Sequence, residues 1–542
     1  MSHVVPRNRA HICENGDVMG RGRVAFLAGS IAFLAAALFL IVTPPGYNSD
    51  EPSHFTRLGG LVGGQLLGRQ VHNLDAYSYK TIPQRERVRV ESGIYSVDPD
   101  YMYIIGAPCN LRQYDMPACP APLPPPAGQT AADQVSQHAH TAPTSYLIPA
   151  AFSAAGWSPR STFYLARLGV AFEAASLVAL AFLCVAPLVS RRRLVAIAGG
   201  FAGACSPLLL SIAGSVTTSA FEIFGSLSLA VLTWAVVRRP ADSSAGADWL
   251  PRACWLYAFI ACALTRSVGS AFAVLAIGAG LLSAGGTVRQ LVGNLGRWVT
   301  ASVVILAGAG FAWDSKYTVH MKSTASLFSW AAFRRDLTAV RVGSRDWANK
   351  LGWNDVHMPL IVVGGFLLVA LFWVVLAIRT GGRPWLWRTS LLAVAYVALA
   401  LVIARELEPT GFAMQSRFLL PGLCLLPVAA GLRLARADEP SEARSGRLRY
   451  SVAVWAVLSV VAAFYVLRRN VVGEHGKLWF FAVGGYRPLG GWPLTIVAVV
   501  AFFTAVGVSV RWLGEPGAST TAADDGVYET SGVASAGTRS PG

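Results

Sequence analysis

Charged side chains are scarce in this sequence. They make up 14% of its 542 residues, where an ordinary soluble domain carries about 25%. A soluble chain of this length would lack the polar surface to cover itself. The soluble classes are therefore excluded, and an integral membrane protein is expected. Acidic residues are the scarcer kind: 29 Asp and Glu stand against 45 Lys and Arg, for a formal net charge of +16. That excess is not gathered on one basic face, as nucleic acid would require. It is spread over short loops between apolar runs, in the manner of topology signals. Nucleic acid is not an expected partner.

Familiar catalytic signatures are also missing. No Walker-type Gly-rich loop is present, so ATP hydrolysis has no support. No His/Cys cluster has zinc spacing. The run GGQLLG lacks the strand–helix unit of a dinucleotide fingerprint. A cytosolic nucleotide-sugar site has nowhere to sit, because the arginine-rich loops are short. Of the 8 cysteines, Cys184, Cys205, Cys254, Cys262 and Cys424 fall in apolar runs and read as small core residues. Cys109 and Cys119 share the polar loop APCNLRQYDMPACP. A local disulfide is expected there if the loop faces an oxidising compartment. A metal site is the weaker alternative, since no second Cys or His pair lies nearby at metal spacing.

What the chain does have is long apolar runs. Twelve are read as spans, near 24–43, 162–187, 194–213, 217–237, 253–265, 268–285, 298–314, 359–378, 389–405, 418–435, 451–467 and 493–512. The fifth and sixth form either one long helix or two short ones broken around Arg266. The first run follows Arg21 and Arg23 and has the length of a full span, so it reads as an uncleaved helix rather than a signal peptide. One alternate set of short loops holds sixteen arginines, among them Arg191, Arg192, Arg193, Arg379, Arg383 and Arg388; the other set holds seven basic residues. The positive-inside rule makes the first set cytoplasmic, with both termini inside. The expected organisation is a cytoplasmic N-terminus (1–23), a transmembrane domain (24–513) and a disordered cytoplasmic tail (514–542). Two long loops, 44–160 and 315–358, then lie outside. The expected fold is all-α, a polytopic transmembrane helical bundle of about twelve helices with a large first extracytoplasmic loop. Tyr77, Tyr79, Tyr95, Tyr101 and Tyr103 argue for order in that loop against the membrane surface.

The first run ends in TPPGYNSDEPSHFTR, where two prolines stop the helix and Asp50 and Glu51 follow at once. Adjacent carboxylates just above the hydrocarbon are costly to place there, which suggests use. One could serve as a general base on an acceptor hydroxyl, and both could hold a divalent metal such as Mg or Mn. A solvated helix-end turn is the competing reading. His54 stands ready either to orient the carboxylates or to cap structure. Arg266 and Arg417 fall at outer helix ends, where a guanidinium suits a phosphate through its bidentate fork, or simply snorkels. Trp353 and Asp355 could line a sugar or acceptor site, or Trp353 could be an interfacial anchor. His138 and His140 carry no role at this level. Glu173 and Glu222 lie within helices without an identified partner and read as structural.

The Pro-rich helix end with Asp-Glu and a nearby His-Phe resembles the DUF2142 membrane proteins (a domain of unknown function), grouped with the C-type glycosyltransferase superfamily. AGSVTTSAFEI (213–223), KLGWNDVHMP (350–359), MQSRFLLP (414–421) and APTSYLIPA (142–150) are similar to further segments of that family. The chain departs from the family pattern at Thr217 and Thr218, at Ala142 and at Ser416. The resemblance implies a C-type architecture that takes a polyprenyl-phosphate-linked sugar as donor and a cell-envelope glycan or lipid as acceptor. It implies Asp50 as catalytic base, with Glu51 as its partner or a metal ligand. His54, Arg266, Trp353, Asp355, Gln415 and Arg417 would bind substrate. The alternatives are a lipid or glycan transporter or flippase, and a non-catalytic partner in envelope assembly.

Overall fold

The computed structural model describes residues 18–71, 88–102, 116–118, 132–239, 249–317, 329–352, 356–410, 414–437, 442–481, 483 and 486–513. Cys109, Cys119, Trp353, Asp355 and the tail 514–542 lie outside the described residues.

The chain is mostly helical. Helix α1 (Val18–Val42) leads into α2 (Glu51–Val62), α3 (Leu147–Ser153) and α4 (Pro159–Val185). A sharply bent pair follows, α5 (Arg191–Ala204) and α6 (Pro207–Ala213), at 87°. Then come α7 (Ser219–Arg238), α8 (Trp249–Ala263), α9 (Gly269–Ala284), α10 (Val288–Tyr317), α11 (Trp330–Arg345) and α12 (Leu360–Leu407). Short α13 (Leu420–Leu423) and α14 (Leu425–Arg436) precede α15 (Glu442–Val472) and α16 (Gly491–Trp512).

All twelve apolar runs fall on helices, but not each on a long helix of its own. Among the described residues seven helices are long and apolar enough to cross a membrane, or eight if the bent pair counts as one. Three runs miss because their helices are short: α8 has 15 residues, α9 has 16 and α14 has 12. Two runs share α12, whose 48 residues bend at Gly382 (φ 63°, ψ −160°) just before Pro384. Only glycine takes that backbone shape cheaply. The α8–α9 break does carry Arg266, as one of the two readings had it.

The bundle packs through small residues. Apolar burial gives little drive between helices in lipid, so close van der Waals contact must do the work. A methyl at Gly200 of α5 would meet the carbonyl oxygen of Pro427 at 2.7 Å, and one at Gly431 of α14 would meet that of Ala196 at 2.5 Å. Helix α7 is the axis, with 94% of its most apolar stretch buried. Helix α10 lies at the rim, with 6% buried.

The fold is not purely helical. The first long loop carries α2, α3 and a three-stranded antiparallel sheet, β1 (Arg69–Gln70), β2 (Gly93–Val97) and β3 (Ala132–Ser136). Its register pairs Arg69 with Ile94 and Ile94 with Val135. Tyr95 of β2 is buried against Gly60 of α2, and Tyr101, just after β2, against Gly59. A second small ladder joins β4 (Lys350–Leu351) to β5 (Val356–His357).

The helix ends sort into two groups. At one end the Leu489 amide donates to the Ile41 carbonyl (3.1 Å), Trp313 Nε1 to the His140 carbonyl (2.7 Å) and Arg335 Nη1 to Glu408 Oε1 (2.6 Å). At the other, Arg252 Nε donates to the Asn294 carbonyl (2.9 Å), Asn294 Nδ2 to the Val236 carbonyl (2.8 Å) and Arg388 Nη1 to the Leu282 carbonyl (3.2 Å). The arginine-rich loops share this second end. The two long loops share the first.

Candidate functional site

The site begins where α1 stops. Pro44 and Pro45 cannot continue the helix, and Gly46 turns the chain at φ 76°. Asp50 then enters α2 as its N-cap, in the left-handed region at φ 62°. It is the one non-glycine residue there among the described residues. Asp tolerates this conformation better than most residues, yet it stores strain, and such strain gathers at functional positions. The side chain does not cap α2. It turns out to an ion pair with Arg417, and His138 Nε2 lies 3.8 Å from its Oδ2. Arg417 Nη1 also donates to the Ser49 carbonyl at 3.3 Å. Burial alone would push the Asp50 carboxyl up. Arg417 and His138 together outweigh it and hold the group well below the usual carboxylate range. Asp50 is therefore ionised in the resting protein.

Glu51, expected beside it as a chemical partner or metal ligand, faces elsewhere. Its Oε1 accepts from Arg167 Nε (2.8 Å) and the Val216 amide (2.9 Å), and its Oε2 from Arg167 Nη2 (2.7 Å) and the Gly46 amide (3.1 Å). Those four bonds use the four lone-pair positions of a carboxylate. Arg167 completes its own five by donating to the carbonyls of Leu40, Thr43 and Pro44. Neither side chain is exposed. The sequence reading did not single out Arg167, although an arginine inside an apolar span is itself a signal.

His54 lies one turn along α2. Its ring stacks on that of His138, with centroids 3.8 Å apart and planes 4° from parallel. Its Nδ1 is 2.6 Å from the Tyr146 hydroxyl. Burial and the neighbouring His138 push its pKa well below the ordinary value, so the ring is neutral. Burial also pushes the Tyr146 hydroxyl up, so that group stays protonated. The other ring nitrogen, Nε2, is buried and has no hydrogen-bond partner among the described residues.

Arg266, in the α8–α9 break, donates from Nη2 to Ser219 Oγ, and its Nη1 is 3.5 Å from Glu222 Oε2. Glu222 thus has the partner that sequence did not supply. The guanidinium carbons of Arg266 and Arg417 lie 5.3 Å and 5.2 Å from the ring centre of Phe418. Two cations share one aromatic ring, a favourable placement for each.

A small cleft opens beside Arg417, lined by Asn48, Ser49, Leu208, Ile212, Ser215, Thr217, Gly352, Gln415, Ser416 and Arg417. Gln415 is therefore at the site. Gly352 lines the cleft, and Trp353 and Asp355 lie outside the described residues. The segments 48–54, 138–146, 215–222, 266 and 415–418, far apart in sequence, converge here.

The paired carboxylates do not fit a divalent cation. Glu51 has its oxygens in use, and Asp50 faces a guanidinium. No group of three or more His, Cys, Asp or Glu fit to hold a metal occurs among the described residues.

A family model described as "Predicted membrane protein (DUF2142)" matches residues 33–426. Neither the curated proteins nor the solved structures compared with the chain contain a significant match.

Proposed function

Because the chain belongs to the DUF2142 family of predicted membrane proteins, we propose that it is a multi-pass glycosyltransferase of the cell membrane. It moves a sugar from a polyprenyl-phosphate donor to a cell-envelope acceptor on the extracytoplasmic side. One observation carries this reading: an ionised, partly exposed carboxylate, Asp50, is paired with Arg417 where that arginine lines a small cleft, and Arg266 shares the Phe418 ring with it. The arginine-rich end is the cytoplasmic one by the positive-inside rule, which puts the cleft outside.

In this reaction Asp50 takes the proton of an acceptor hydroxyl. The acceptor oxygen forms a bond to the anomeric carbon as the bond from that carbon to the phosphate oxygen breaks. Attack from the face opposite the phosphate inverts the anomeric centre. Arg417 and Arg266 receive the charge of the leaving lipid phosphate, which a guanidinium matches with paired N–H donors. Gln415 and the Ser and Thr hydroxyls of the cleft wall supply hydrogen bonds to a sugar. Glu51 and Arg167 hold the turn on which Asp50 sits and take no part in proton transfer.

The test uses purified protein in lipid discs with a panel of polyprenyl-phosphate sugars and envelope acceptors. The parent transfers sugar, and Asp50→Asn loses at least roughly 100-fold in rate, on the usual scale of acid–base catalysis. Equal rates in the two proteins would remove Asp50 from the mechanism. Translocation of lipid with no transfer would make the protein a carrier instead.

A further inference from the structure

We infer that in the resting protein Asp50 occupies the place on Arg417 that a phosphate takes, so that phosphate binding and release of the base are one event. This deepens the transferase reading and rests on it for the identity of the anion.

Four charged groups make the site. Arg417 and Arg266 flank Phe418, and Asp50 and Glu222 answer them. Each arginine thus already faces a carboxylate in the resting site. Neither arginine is saturated: Arg417 Nε and Arg266 Nη1 are buried without a hydrogen-bond partner among the described residues. A buried guanidinium N–H left unpaired is costly, and a tetrahedral oxyanion has the oxygens to pair it.

The two carboxylates are not equally able to yield. Glu222 is fully buried within α7, while the Asp50 side chain is 21% exposed on a strained turn. Arg417 also lines the cleft through which a ligand would come. An arriving phosphate therefore competes with Asp50 for Arg417 and leaves the site with excess negative charge. That excess is relieved when Asp50 accepts a proton. Paired with Arg417, Asp50 is a weak base; beside an anion and without its partner, it is a stronger one. Acceptor hydroxyls, water included, then meet a competent base only after the donor is seated.

Binding measures this without any reaction. Asp50→Asn removes the internal competitor, and Asn tolerates the left-handed turn as Asp does, so the fold is kept. The parent, Asp50→Asn, Arg417→Gln and the double variant are titrated in lipid discs with polyprenyl monophosphate, with inorganic phosphate and with uncharged polyprenol. Asp50→Asn should bind polyprenyl monophosphate roughly tenfold tighter than the parent, or about 1.4 kcal/mol. Arg417→Gln should bind it at least tenfold more weakly, and the double variant should show no gain over Arg417→Gln. A gain seen only with the lipid identifies a lipid-linked phosphate as the occupant. The same gain with inorganic phosphate identifies the phosphate group alone, and either supports the exchange. Unchanged or weaker binding of both phosphates by Asp50→Asn overturns it, as does an equal gain with polyprenol. A tenfold gain in a protein that transfers no sugar would keep the exchange and discard the transferase.

Discussion

Arg167 of α4 clasps Glu51 at the first turn of α2 with two hydrogen bonds, of 2.8 and 2.7 Å, and both side chains are fully buried. The same guanidinium ties down the carbonyls of Leu40, Thr43 and Pro44, where α1 ends. One side chain thus fixes the turn from which Asp50 projects.

Arg167→Met should cost about 3–5 kcal/mol, because it leaves the Glu51 charge buried with only two backbone amides to hold it. Glu51→Gln should cost less, about 1–3 kcal/mol, since the amide oxygen still accepts and Arg167 keeps three carbonyls. Thermal unfolding in detergent measures both. The folded fraction of Glu51→Gln should keep its transfer rate. A stable Glu51→Gln protein without activity would return Glu51 to the chemistry.

Why adjacent carboxylates part company was not readable from DE in the sequence. The left-handed φ of Asp50 turns its side chain toward Arg417 while Glu51, the first helical residue, faces into the bundle. Asp50, His54, Arg266, Gln415 and Arg417 were legible, because each is a polar group placed where an apolar run ends. Arg167, Glu222 and His138 gain their meaning from partners on other elements: Arg167 from Glu51, Glu222 from Arg266, His138 from His54 and Asp50. No local spacing announces such partners. The apolar runs located the helices, but they could not give their lengths or the bend at Gly382.

Stability should fall in acid, and His54 should carry part of the loss. Its folded pKa lies well below the ordinary value because burial and His138 oppose its charge. The unfolded chain therefore binds the proton first, near pH 6.5. Stability is intact above that pH and declines below it, by at most about 1.4 kcal/mol per pH unit for one proton. His54→Gln should flatten the profile of melting temperature between pH 6.5 and pH 5, taken as rough bounds from the free-histidine value. An unchanged slope would show that another group titrates there.

Two glycines of α2 seat the first loop, Gly60 against Tyr95 of the sheet and Gly59 against Tyr101 in the turn after it. A methyl at Gly60 would stand 2.1 Å from Tyr95 Cδ1, and one at Gly59 would stand 2.5 Å from Tyr101 Cγ. Tyr95 cannot swing aside cheaply, because its hydroxyl accepts from Arg57 Nη1 (2.7 Å) and donates to the Ala139 carbonyl (3.1 Å). Gly60→Ala should destabilise by about 1–3 kcal/mol. Gly308→Ala on α10, where a methyl meets nothing within 4 Å, should be neutral or gain about 0.5–1 kcal/mol from helix propensity. Paired melting curves of the two variants separate crowding from any general effect of glycine loss.

The function proposed for the cleft depends on which end of the bundle faces out, and that is open to direct measurement. Leu66 follows α2 at the Asp50 end and is 51% exposed. Arg383 is exposed at the bend of α12, at the opposite end. Single cysteines at these positions report sidedness once Cys13, Cys109 and Cys119 are replaced by Ser, because the other five cysteines are buried. In intact cells a membrane-impermeant maleimide should label Leu66→Cys and leave Arg383→Cys untouched until the membrane is opened. The arginine surplus at the Arg383 end resists translocation, and this gives the expectation its sign. The opposite labelling pattern would place the cleft in the cytosol. The anion for Arg417 would then have to be sought among cytosolic phosphates rather than outward-facing lipid-linked sugars.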